Sequence, residues 1–139
     1  MYISPIERMK KVHIWIGKNS LNEEDYEKYF ELDCSTEGDF EDPDYRICQF
    51  CKDIGEVWYD EDFIGIIPIF DQAVSIREIL QEVPIAETDI EKVTSKCDEL
   101  EMKTANAVFY LTDSQVEVPR PYKDSYNGLK YIGVFGSCL

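Results

Sequence analysis

Three groups of residues have types and spacings that chemistry could use. Cys48-Gln49-Phe50-Cys51 has the two-residue gap of metal sites and thiol–disulfide centres. A zinc site needs four soft or imidazole ligands, and no second cysteine pair accompanies this one. A redox pair places its first thiol at a helix N-terminus after a strand. Here the periodicity puts both cysteines inside a helix, on its apolar side, where they read as small core residues. Asp60-Glu61-Asp62 could meet a divalent cation. On a strand only Asp60 and Asp62 would converge, and the chain has no glycine-rich phosphate loop. His13, the single histidine, shares a strand face with Lys11 and Trp15 and reads as structural. No catalytic, cofactor-binding or metal-binding residue is assigned, and the chain is read as a binding protein, not an enzyme.

What remains is acid clustered around aromatics. Glu37, Asp39, Phe40, Glu41, Asp42, Asp44 and Tyr45 form one run, and Trp58 to Phe63 form another. Carboxylates steer and pair with Arg and Lys, while desolvated aromatics carry binding energy. A long loop this charged destabilises the folded chain by self-repulsion, which argues for a use. The expected partner-binding residues are Glu37, Asp39, Glu41, Asp42, Asp60, Glu61 and Asp62 as charge partners, with Tyr59 and Tyr45 as anchors.

The elements that must position these groups follow from periodicity. Lys11–Gly17 alternates, is rich in β-branched and aromatic residues, and reads as an interior strand, with residues 1–10 as a loose arm. Ser20 with Glu23 forms a capping box for a helix reaching about Leu32. Asp42-Pro43 is a start signal for a second helix, which Gly55 ends. Glu56–Tyr59 and Phe63–Phe70 read as strands. The isoleucines of Phe63–Phe70 favour a central position, whereas Pro68 argues for an edge. Ser75 with Glu78 and Thr88 with Glu91 open two further helices, the latter presenting Ile90, Val93, Cys97 and Leu100 on one side. Ala107–Leu111 and Leu129–Phe135 are the last strands, with Asn127-Gly128 as a tight turn. The expected fold is α+β: a mainly antiparallel or mixed sheet of about five strands with about four helices, as a single domain over 11–139.

Composition bounds the partners. The 139 residues carry 14 Lys and Arg against 29 Asp and Glu, a net charge of −15. Such a surface repels nucleic acid and anionic membranes and favours a basic protein. No stretch is long and apolar enough to span a bilayer, the start lacks a signal-peptide pattern, and five cysteines read as free thiols. A cytoplasmic location is expected, and the oligomeric state is left open.

Val12-His13-Ile14-Trp15-Ile16-Gly17, Tyr29-Phe30-Glu31-Leu32-Asp33, and Phe50-Cys51-Lys52-Asp53-Ile54-Gly55 running into Trp58-Tyr59-Asp60-Glu61-Asp62-Phe63 resemble the immunity protein 22 family of bacterial polymorphic-toxin systems. The likeness spans about Lys11 to Leu111. It implies a protein that protects its producer by binding a cognate toxin domain; many such toxins are nucleases with basic substrate faces. Two other readings stay open: a metal-assisted hydrolase using Asp60 and Asp62, and an acidic adaptor unrelated to toxins.

Overall fold

The computed structural model describes residues 7, 9–31, 47–56, 59 and 62–138. Among the described residues there are six strands: β1 (Lys11–Gly17), β2 (Ile64–Ile66), β3 (Val74–Ser75), β4 (Thr104–Ala105), β5 (Ala107–Leu111) and β6 (Leu129–Gly136). Four α-helices accompany them among the described residues: α1 (Glu23–Lys28), α2 (Gln49–Ile54), α3 (Ile76–Ile79) and α4 (Ile90–Glu99). The main sheet has the order β2-β5-β1-β6 with every pair antiparallel, and β3 pairs with β4 in a two-stranded ribbon. The fold is therefore α+β, as the periodicity predicts.

Strand β1 is interior, and every residue after Lys11 is buried. Its alternation splits the protein into two apolar layers. Trp15 faces one side, with Phe109 and Leu111 of β5 and Tyr131 of β6, and there meets Tyr26, Tyr29, Phe30, Phe50, Cys51 and Ile54 from α1, α2 and their flanks. The rings interlock: Trp15 stacks on Phe109 at 4.8 Å, and Phe30 meets Phe109 edge-on at 4.7 Å. Val12, Ile14 and Ile16 face the other side, onto an aliphatic layer from α3, α4 and the turn Leu80–Glu82. The indole N–H of Trp15 and the hydroxyl of Tyr26 have no hydrogen-bond partner, a cost of about 1–3 kcal/mol each that this packing offsets.

Helix ends show where local signals yield to tertiary demands. Ser75 caps α3 by accepting from the Glu78 amide at 3.2 Å, as its capping box predicts. The box at Ser20 does not form. Asn22 caps α1 instead, accepting from Asp25 N, and α1 ends at Lys28. Asn19 explains the shift: its side chain accepts from Leu21 N, turning the chain just before α1, and donates to the Asn127 carbonyl. Thr88 does not cap α4 either; Glu87–Asp89 is a 3-10 turn, and α4 starts at Ile90. Asp89 makes no cap because its carboxylate accepts from the Gly136 amide, tying α4 to β6.

Pro68 lies outside β2, which is a three-residue edge strand, so the proline reading prevails over the apolar run. Neither Glu56 nor Tyr59 lies in a strand. Asn127 (φ 57°) and Gly128 (φ 88°) form the left-handed turn that leads into β6.

One carboxylate joins α1, α2 and the loop before β6. Asp53, whose side chain is 5% exposed, accepts from the Tyr29 hydroxyl at 2.6 Å and Gln49 Nε2 at 2.9 Å and ion-pairs with Lys123. Replacing it strands a buried hydroxyl and an ammonium together. Asp53→Ala is expected to lower unfolding free energy by about 2–3 kcal/mol in urea titrations, against less than about 1 kcal/mol for Lys123→Ala, whose lysine is half exposed.

Candidate functional site

Most of the expected partner-binding residues lie outside the described residues: Glu37, Asp39, Glu41, Asp42, Tyr45, Asp60 and Glu61, together with the Asp42-Pro43 start signal and Trp58. Two are described. Asp62 is exposed two residues before the edge strand β2. Tyr59 is 6% exposed, packs edge-on against Phe50 at 5.4 Å, and donates its hydroxyl to the Phe30 carbonyl. The fold thus sets Asp62 at the surface and turns Tyr59 into the aromatic layer.

The cysteine pair departs from its expected placement. Cys48 is the N-cap of α2, not an interior residue, and its Sγ accepts from the Cys51 amide at 3.4 Å. Cys51 sits in the first turn, fully buried. Hydrogen bonding from the Cys51 thiol brings the Cys48 thiol down to about 7, and the same bond pushes Cys51 up. Cys48, Cys51 and Cys97 are free, buried thiols, and Cys138 is free and exposed.

Sequence reasoning missed another feature, a cleft of about 430 Å³ where the aromatic layer ends. Its floor is His13, 3% exposed, on β1. Nε2 of His13 lies 3.2 Å from the Asp113 carbonyl oxygen, which can only accept, so Nε2 carries the proton and Nδ1 accepts from the Tyr131 hydroxyl at 2.7 Å. The imidazole is satisfied while neutral. Burial holds its pKa below the usual 6.5, against the pull of the Val116 and Asp113 backbone. Tyr131 in turn meets Tyr122 edge-on at 4.9 Å, and the Arg120 guanidinium sits over the Tyr122 ring at 5.3 Å.

A β-bulge builds this arrangement. Trp15 pairs with Tyr131 but Ile14 pairs with Gly133, so β6 carries an extra residue at that point. Gly133 takes φ 140° there, a conformation that disfavours any side chain. The extra residue reverses the alternation, and Tyr131 and Val134, three apart, both line the cleft. A glycine inside an apolar strand was the available signal.

Among the described residues no three His, Cys, Asp or Glu side chains gather to hold a metal ion, and no helix is long and apolar enough to cross a membrane. Stability should depend on His13. Below pH 6.5 the unfolded chain takes up a proton that the folded imidazole refuses, so stability is lost as pH falls, by up to about 1.4 kcal/mol per unit until the folded value is reached. Between pH 7.5 and 5.5 the melting temperature of the wild type should fall further than that of His13→Gln; parallel pH profiles would contradict the assignment.

A family profile described as Immunity protein 22 matches residues 12–136 of the 139. Comparisons with curated proteins and with solved structures returned no match. The matched region runs from the second residue of β1 to the last of β6 and takes in every described helix and strand between them. The chain belongs to the Immunity protein 22 family.

Proposed function

We propose that this protein is an inhibitor that binds a cognate toxin domain and blocks it by occupying a cationic surface. Family membership over residues 12–136 carries this reading, because an immunity protein's task is to neutralise a toxin. The net charge of −15 supports the mode of binding. It creates a negative potential that steers a basic partner and imitates the phosphate surface a nuclease would bind. A nuclease-type toxin of a bacterial polymorphic-toxin system is accordingly the proposed target, met in the cytoplasm.

Glu37, Asp39, Glu41 and Asp42, with Asp60, Glu61 and Asp62, are the proposed charge partners. Tyr45 is the proposed aromatic anchor. Tyr59, the other expected anchor, is held in the aromatic layer and would support the adjoining acidic segment more than it would touch the toxin. No step of this mechanism asks for a cofactor or for turnover by the protein itself.

The test is co-expression and titration with the toxin domain encoded beside it. Wild type should rescue growth and bind, and association should slow as salt rises from about 50 to 500 mM. Alanine at Glu37, Asp39, Glu41 and Asp42 together should weaken binding at least tenfold, mainly through slower association. Binding that ignores both salt and these substitutions would refute the acidic contact; failure of the wild type to bind or rescue would refute the role.

A further inference from the structure

The cleft over His13 is unlike the rest of this acidic molecule. Two cations line it, Lys11 and Arg120, against one carboxylate, Glu117. Neither cation has an ion-pair partner among the described residues. Asp89, whose charge Lys11 influences, is already held by Lys92 and the Gly136 amide. The walls are apolar and exposed: Tyr122 is 43% accessible and Val134 48%. The guanidinium is pre-positioned over the Tyr122 ring, and that ring rests on Tyr131, which the buried His13 fixes through its hydroxyl. A side chain held this way loses little freedom when it pairs with an anion.

We propose that this cleft is a binding site for a monocarboxylate carried on an apolar body. Arg120 and Lys11 take the carboxylate, and Tyr122 and Val134 take the body. A local balance of two cations and one anion matches a single negative charge better than a phosphate dianion. The planar guanidinium suits a carboxylate, which it can engage through two parallel N–H donors. The volume lies within the range of about 300–1,000 Å³ typical of small-molecule sites. The same chemistry is offered by a free arylalkanoic acid and by a glutamate beside an aromatic residue in a polypeptide. The site stands apart from the toxin-binding reading and does not depend on it.

Nuclear magnetic resonance titration tests it with four probes: phenylacetate, phenylacetamide, and the blocked dipeptide amides Ac-Phe-Glu-NH2 and Ac-Phe-Gln-NH2. At least one carboxylate probe should give saturable shifts centred on Lys11, Tyr122 and Val134. The matching neutral probe should bind at least tenfold more weakly. The Lys11→Ala/Arg120→Ala double variant, in which both replaced side chains are exposed, should lose binding to the same extent while its other resonances keep their wild-type positions. Tighter binding of the dipeptide would identify a polypeptide as the source, and tighter binding of phenylacetate a free acid; either supports the site. Equal binding of a carboxylate and its amide on the wild-type protein would overturn the proposal without recourse to a variant. So would shifts that avoid the cleft.

Discussion

Strand β1 is paired along both edges and buried on both faces, and the rest of the molecule is organised by the need to cover it. Trp15, with His13 beside it, faces an aromatic layer, and Val12, Ile14 and Ile16 face an aliphatic layer. Each large side chain so buried contributes about 1.5–3 kcal/mol, and a strand with two such faces contributes twice over its length. The elements differ because the layers differ. Among the described residues two short helices cover the aromatic side, where large rings fill the space. The longer α4 is needed on the other side, where Val93 and Cys97 bring small side chains to the sheet.

The same constraint creates the polar features. At its N-terminal end β1 runs past the edge of the aromatic layer, and His13 occupies the boundary. A buried imidazole must be neutral or paired, and Tyr131 with the Asp113 carbonyl satisfies the neutral form. Asp53 solves a similar problem between α1 and α2: a carboxylate withdrawn from a strongly acidic surface and saturated with donors. Asp89 ties α4 to β6 in the same way, whereas pairs such as Lys28–Asp25 and Lys96–Glu99 have side chains about half exposed or more and contribute little.

Much of the scaffold is legible in the residue pattern, because its signals are local. The β-branched alternation of 11–17, the Ser75 box and the Asn127-Gly128 turn each act over a few residues and nothing overrides them. The Ser20 and Thr88 boxes fail because Asn19 and Asp89 are recruited by partners far along the chain, Asn127 and Gly136. Pro68 shows the reverse case, a single local rule outweighing a run of isoleucines. The cleft was not legible: Lys11 and Arg120 line it from distant parts of the chain, Tyr131 and Val134 share it through the register shift at Gly133, and no short window contains these residues. Where its segments are described, the family likeness was carried by β1, Tyr29 and Phe30 just after α1, α2, and Tyr59 and Phe63, and each of these contributes to the aromatic layer.

On the proposed reading, carboxylates of the segments around residues 33–45 and 60–62 grip a cationic protein surface. Hydrogen–deuterium exchange of the protein alone and in complex with its cognate toxin domain tests this most directly. Protection on binding should concentrate in those two segments and be lost when the complex is dissociated by salt. Protection confined to the α3–α4 side of the sheet, with 33–45 and 60–62 exchanging as in the free protein, would contradict it.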